Sequence, residues 1–371
     1  MINYQGEPDY EHGSAERLGV LLLNLGTPDA PTRPALRRYL KQFLSDPRVI
    51  EIPAWKWWPI LNGIVLNTRP QKSAEAYSTV WDHHADGAPL LTISRAQQKG
   101  LQERLEHQMA GPVSVALGMR YGNPSVASAM HELREAGARR MLVLPLYPQY
   151  AGATSASTFD AVFQELQTWR WMPELRTVNQ YHRDPGYLDA LANSINEHFK
   201  AHGKPDKLIL SYHGEPKRYL LGGDPYHCQC HVTTRLVAER LGLEEDDYMT
   251  TFQSRFGPEE WLKPYTDDTL KALPEQGVKH VAVVCPGFSA DCLETIEEIG
   301  DENREYFEEA GGETYHYIPA LNERDDHLDA LARIVRQHTQ GWVEHSEFDA
   351  VEDNRERELV RKNALDKGAE R

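Results

Sequence analysis

The feature that most constrains this chain is a repeat of itself. Met119-Arg120-Tyr121-Gly122 is echoed by Ser254-Arg255-Phe256-Gly257, each soon followed by a proline, Pro124 and Pro258. Gly137, with a basic turn and the run Met141–Pro145 after it, is echoed by Gly277 and Val281–Pro286. Leu188-Asp189-Ala190-Leu191-Ala192 recurs letter for letter as Leu328-Asp329-Ala330-Leu331-Ala332. Three matches in one order, offset by about 135 to 140 residues, argue for a duplicated unit over convergent patterning.

Within each copy, strand-like runs alternate with amphipathic ones. The strands expected are Gly19–Asn24, Val113–Gly118, Arg140–Leu146 and Arg176–Tyr181, then Lys207–Tyr212, Asp247–Gln253, His280–Pro286 and Thr314–Pro319. Helical periodicity marks Pro124–Ala136, Tyr187–Lys200, Val232–Leu241, Thr266–Leu273 and Asp325–Gln337. This order predicts an α/β protein of two similar domains, about 16–200 and 204–342, each a four-stranded parallel sheet flanked by helices. The copies differ by an insertion between the first two strands of the first, about 30–108, rich in tryptophan and carrying the apolar run 59–66. Residues 343–371 are densely charged and read as a solvated helix or a disordered tail.

Composition narrows the function. A formal net charge of −16 argues against a nucleic-acid partner, because phosphate binding needs a basic face. The stretch from Met1 to Arg17 lacks the basic start and apolar run of a signal peptide, and Val49–Leu66 is too broken by charge, proline and glycine to span a bilayer. With only 4 cysteines a disulfide framework is excluded, and the chain reads as cytoplasmic. No glycine-rich phosphate loop follows any strand, so a nucleotide cofactor has no support.

In open α/β sheets ligands bind beyond the carboxyl ends of the strands. His213 stands at such an end, before a glycine read as flexible, where an imidazole can accept a proton or ligate a metal. Beyond the third strand of the second copy, Asp291, Glu294, Glu298, Asp301, Glu302 and Glu305 fall three or four apart, a carboxylate ridge if the segment is α-helical. Acids at a helix start explain the first two, but not three turns of them; mutual repulsion would raise some of their pKa values, as a proton relay or a loose cation site requires. The string His227-Cys228-Gln229-Cys230-His231 has the residue types of a metal site without the spacing of common zinc sites. The aromatic insertion is core or the lip of a site for a large flat ligand.

Across about residues 17–340 these segments resemble the ferrochelatases. The resemblance rests on Leu22-Leu23-Asn24-Leu25-Gly26-Thr27-Pro28, Met119-Arg120-Tyr121, Leu144-Pro145-Leu146-Tyr147-Pro148-Gln149-Tyr150, Ser211-Tyr212-His213-Gly214, Gly223-Asp224-Pro225-Tyr226, Gln253-Ser254-Arg255-Phe256-Gly257 with Trp261, and Asp291-Cys292-Leu293-Glu294-Thr295. It implies the two-domain Rossmann-like chelatase fold, with Fe²⁺ and protoporphyrin IX as substrates and loss of two pyrrole protons. It further implies that His213 is metal ligand or proton acceptor, with Glu294 its partner carboxylate and Glu298 next on a proton path. Leu25, Arg120, Tyr121, Tyr147 and Trp261 match residues of the porphyrin cleft or metal route. Two departures stand out. Cys292 replaces a histidine found in many relatives, and the tail lacks the cysteines with which some relatives hold a [2Fe–2S] cluster, so no such cluster is expected. A chelatase for another metal or tetrapyrrole, and a porphyrin carrier without turnover, are the competing readings. Peripheral membrane contact through the Trp55–Leu66 lip is a further expectation.

Overall fold

The computed structural model describes residues 4–82 and 87–371; residues 1–3 of the N-terminal segment and 83–86 of the insertion lie outside them. The first copy runs β1 (Arg17–Thr27), α1 (Arg33–Leu44), α2 (Ala54–Ile60), α3 (Leu66–Val80), α4 (Pro89–Gln108), β2 (Val113–Gly122), α5 (Val126–Glu135), β3 (Ala138–Pro145), α6 (Ser157–Leu166), β4 (Glu174–Thr177) and α7 (Pro185–His202). The second runs β5 (Lys207–His213), α8 (Lys217–Leu221), α9 (Tyr226–Leu241), β6 (Tyr248–Gln253), α10 (Thr266–Ala272), β7 (His280–Val284), α11 (Asn303–Glu309), β8 (Thr314–Ile318) and α12 (Asp325–His338). The chain closes with α13 (Val343–Ser346) and α14 (Ala350–Asp366).

Both sheets are parallel and share one strand order, β2-β1-β3-β4 and β6-β5-β7-β8. The echoed glycines repeat in conformation as well: Gly137 and Gly277 both have φ of 87°, and Gly122 and Gly257 both lie in the left-handed region. Strands covered on both faces read as continuous apolar runs, which is why Val20 to Leu23 are fully buried.

One large core joins the copies. It holds β1 and β5 side chains together with Leu101 and Leu105 of α4, Leu188 and Leu191 of α7, Val237 of α9, and Leu328 and Leu331 of α12. The helices exchange partners across it. The last helix of each copy packs on the early crossover helix of the other, α7 on α9 and α12 on α4, and α7 also packs on α12. The letter-for-letter repeat Leu-Asp-Ala-Leu-Ala is therefore the seam itself.

This packing divides the segment 30–108. Helix α4 lies against β1 and β2 as α9 lies against β6, so it is the ordinary crossover of the first copy. The extra material is α1 to α3, which close on a separate cluster of Leu36, Tyr39, Leu61, Leu66, Tyr77 and Trp81.

The tail also departs from expectation. Its α14 is an exposed helix, but Glu344 of α13 is 1% exposed and takes a bidentate guanidinium from Arg140 at the start of β3, with contacts of 2.7–3.0 Å. A carboxylate this deep is stable only while its partner stays. Glu344→Ala leaves Arg140 with the more exposed Glu16 at 3.3 Å as its remaining acid and is expected to cost about 3 kcal/mol in denaturant unfolding, whereas Glu352→Ala on exposed α14 is expected to change nothing measurable.

Candidate functional site

Beyond the carboxyl ends of β5, β6 and β7 the second copy meets the inserted helix α3 of the first, and this junction gathers some of the residues singled out by sequence. Close backbone packing shapes it. Gly26 of β1 has φ of 105°, and a Cβ there would lie 1.8 Å from the Tyr121 carbonyl oxygen on β2. Gly214, read as flexible, serves instead for close approach: a Cβ would meet the Gln253 carbonyl at 2.7 Å and the Trp261 ring at 3.1 Å.

His213 ends β5, half-buried. Its Nδ1 lies 2.7 Å from the Gly214 carbonyl, which can only accept, so the tautomer of the neutral ring carries its proton on Nδ1 and leaves the lone pair on Nε2. Trp261, 5% exposed, backs the imidazole with its ring centroid 6.5 Å away. Gln253 joins His213 to the acidic segment. It is His213's register partner on β6, and its Nε2 donates to the Glu294 carbonyl at 3.2 Å. Its Oε1 is held by the Ser211 hydroxyl at 2.7 Å, so the amide is fixed at both ends.

The carboxylate ridge takes a different form from the one expected. Residues Glu294–Glu302 form a π-helix, whose wider turn breaks the α-helical spacing. Asp291 is not part of any ridge; it is buried and accepts from Thr295 Oγ1, Asn322 Nδ2 and the Ala320 amide, which closes the loop. Asp301, Glu302 and Glu305 are exposed. Glu294 and Glu298 remain on the site side, with Glu297 beside them. Burial pushes the Glu298 carboxyl up to about 7 against two donations from Ser254, with neighbouring Glu294 and Glu302 adding to the rise. Burial raises Glu297 too, helped by Glu302, Asp301 and Glu294. The Cys292 thiol is pushed far above its ordinary range by burial and the adjoining Glu294 carboxylate, so it stays protonated near neutral pH and is no second base.

Three residues here went unread in sequence. Tyr39 of α1 and Tyr77 of α3 are buried close enough to Glu294 for its charge to help raise both phenols, after burial itself. They carry the insertion's contact with the acidic segment. Glu215, two residues past His213, is 7% exposed, and burial drives its carboxyl well above the usual range, with Asp224 and Glu51 adding to it. Its sequence signal was its place just past the end of β5, two residues after His213.

The remaining predicted residues separate. Leu25 is half-buried between the insertion cluster and a small cluster of Leu90, Ala290 and Cys292. Tyr147 is half-buried, and its hydroxyl is buried without a hydrogen-bond partner among the described residues. Arg120 pairs with the buried Asp46 at 2.5 Å and donates through Nε to Ser157. Tyr121 is 1% exposed, inside the insertion cluster, and spends its hydroxyl on Asp46 at 2.8 Å. It has no surface to offer a ligand, so its expected place in the cleft is corrected to a support beneath Arg120. In the His227–His231 string, Cys228 is exposed and Cys230 buried, so the thiols point to different faces of α9.

Glu298 binds its proton more tightly folded than unfolded. Its contribution to stability is fully present below about pH 4.5 and is lost as pH rises through about 7. Glu298→Gln keeps an acceptor for Ser254 and removes the buried charge. It is expected to be the more stable protein at about pH 8 by on the order of 2 kcal/mol, with the gap closed at about pH 5, as denaturant unfolding at the two values will measure.

With this geometry in hand, relatives can be compared. The ferrochelatase family model matches residues 17–339. The chain is 62% identical to the ferrochelatase of Hydrogenovibrio crunogenus, covering 98% of this chain and 97% of that one. It is 60% identical to the ferrochelatase of Thioalkalivibrio sulfidiphilus, covering 99% and 100%. Among solved structures, SirB from Bacillus subtilis with Fe3+ shares the fold at a TM-score of 0.53 and 11% identity, covering 90% of this chain and 99% of that one. A duplicated α/β frame, matched nearly end to end at such identity, leaves one assignment: the chain belongs to the ferrochelatase family.

Proposed function

We propose that His213 and Glu294 carry the chemistry of this ferrochelatase, which inserts Fe²⁺ into protoporphyrin IX to give protohaem and two protons, the last step of haem synthesis. The observation that supports these roles most is the fixed Gln253 amide, which ties the His213 strand end to Glu294. His213 offers a bare Nε2 and Glu294 a carboxylate, a sparse N/O donor pair that suits ferrous iron and releases it readily. Porphyrin nitrogens point their lone pairs into the ring plane, so a metal reaches them only when the ring is bent. In this reading Leu25, Tyr147 and Trp261 form the walls, and Arg120, held by Asp46, stands at the rim. The copies 16–200 and 204–342 divide the labour unevenly: the first gives Leu25, Tyr147 and the rim, and the second gives Trp261 together with the donors His213 and Glu294.

Proton removal follows the electrostatics. A pyrrole proton leaving the macrocycle passes to His213 or Glu294. Glu298, pushed up to about 7, then takes and gives it near neutral pH, with Glu297 next to it toward solvent. No iron–sulfur cluster is expected, and the proposed compartment is the cytoplasm; among the described residues no helix is long and apolar enough to cross a membrane. The inserted α2 exposes Trp55 at 75% and Trp58 at 66%, and the turn after it exposes Ile64 at 60%. Such a patch favours peripheral contact with a bilayer, the phase that dissolves both porphyrin and haem.

His213→Ala is expected to abolish iron insertion while retaining protoporphyrin binding, read by haem absorbance and by porphyrin fluorescence titration. Insertion that survives in the variant would remove His213 from the mechanism; failure of the wild type with Fe²⁺ alongside success with Co²⁺ would favour another chelatase. Trp55→Ala/Trp58→Ala is expected to leave the turnover of detergent-dispersed porphyrin intact and to abolish flotation with phosphatidylcholine vesicles.

A further inference from the structure

Four histidines meet far from the cleft. His198 and His202 lie one helical turn apart at the end of α7, and their rings are 4.5 Å centroid to centroid. His316 of β8 stands 5.0 Å from His198 and 4.6 Å from His202, and His280 of β7 stands 5.4 Å from His316. His280 begins β7 whereas His213 ends β5, so the cluster sits at the opposite end of the sheet, about 20 Å away along the strands. The two strand histidines share a sheet face: His280 pairs in register with Thr314, and His316 follows two residues later.

Ordinary packing leaves this cluster unsatisfied. Nε2 of His198 and Nε2 of His280 are buried without a hydrogen-bond partner among the described residues, a cost that folded proteins seldom leave standing. The neighbouring carboxylate, Asp206, is committed to the backbone amides of Lys279 and His280. Lys204, on the connection after α7, and Lys207, which opens β5, are tied to Asp247 and to the Asp246 carbonyl. Burial and mutual repulsion hold His198 down to about 4 and lower His316, so both present free lone pairs at neutral pH.

We propose that His198, His202, His280 and His316 form a binding site for a borderline divalent metal such as Zn²⁺, separate from the iron-insertion cleft. Two histidines four apart on a helix face are a natural chelating pair, and imidazole suits zinc, nickel and copper. The rings now stack and tilt against one another, and among the described residues no three such groups already stand in metal-holding geometry. Binding therefore requires the rings to rotate about χ1 and χ2 toward a common centre, and His202 at the helix end is exposed. Because α7 ends the first copy while β7 and β8 belong to the second, a bound ion would cross-link the two halves.

The test is calorimetric titration of Zn²⁺ alone into the full chain, its His202→Ala variant and its His198→Ala/His316→Ala variant. The expected result is one more Zn²⁺ bound by the wild type than by the double variant, and affinity at that site weakened at least about tenfold in His202→Ala. Zn²⁺ should also raise the thermal midpoint of the wild type alone, with iron insertion equal in all three metal-free proteins. Equal stoichiometry and affinity in wild type and double variant would overturn the proposal. Should the double variant fail to fold, unchanged Zn²⁺ affinity in His202→Ala, an exposed position, overturns it equally.

Discussion

Everything in this molecule depends on the exchange of helices between the copies. A parallel sheet must be covered on both faces, and each copy covers one face of its sheet alone, with α5 and α6 in the first and α10 and α11 in the second. The other faces are closed jointly, α7 packing on α9 and α12 on α4 around a core that contains both sheets. Neither copy could bury its inner face without the other. The seam consequently fixes the angle between the sheets, and with it the distance from His213 to the helices inserted in the first copy.

The site built on that frame places charge where burial opposes it. Glu298, Glu215 and Glu297 all hold their protons more firmly than free carboxyls do, and for each the largest cause is burial. A protein selected only for stability would replace them with apolar side chains. Their persistence beside a strand-end histidine agrees with a reaction that must take two protons out of an apolar cleft. The π-helix belongs to the same account, since its wide turn sets Glu294 and Glu298 toward the site while leaving Asp301 and Glu302 in solvent.

Sequence made the frame legible because duplication is written in it twice. Gly137 and Gly277 recur because both turns need the same positive φ, and Leu188 to Ala192 recurs because both seam helices meet the same kind of neighbour. The places of His213, at a strand end, and of Glu294, at a helix start, were legible from position. Less legible were contacts made across long separations. Nothing near Tyr121 in the chain announces Asp46, and nothing near Glu294 announces Tyr39 or Tyr77. Spacing misled where backbone geometry changed: a three-four pattern of acids means one face only if the turn is α-helical, and here it is not. Gly214 misled for a related reason, since a glycine records the absence of a side chain without saying whether freedom or crowding requires it.

The asymmetry of the copies follows from that crowding. Both carry the arginine-aromatic-glycine motif, but its fate differs. In the first copy Arg120 is drawn onto buried Asp46, with Tyr121 beneath it, so the strand end becomes a rigid wall. In the second, Arg255 swings outward to Asp267 and Asp268 on α10, and the vacated Ser254 donates to Glu298 instead. One motif therefore serves as a brace in one half and as the anchor of a raised carboxyl in the other. The insertion makes the difference, because Asp46 lies just after α1, in the extra segment that only the first copy has. Adding those helices both supplied the aromatic wall and committed one arginine to Asp46, while burial and neighbouring carboxylates hold Glu297 and Glu298 up in the second copy.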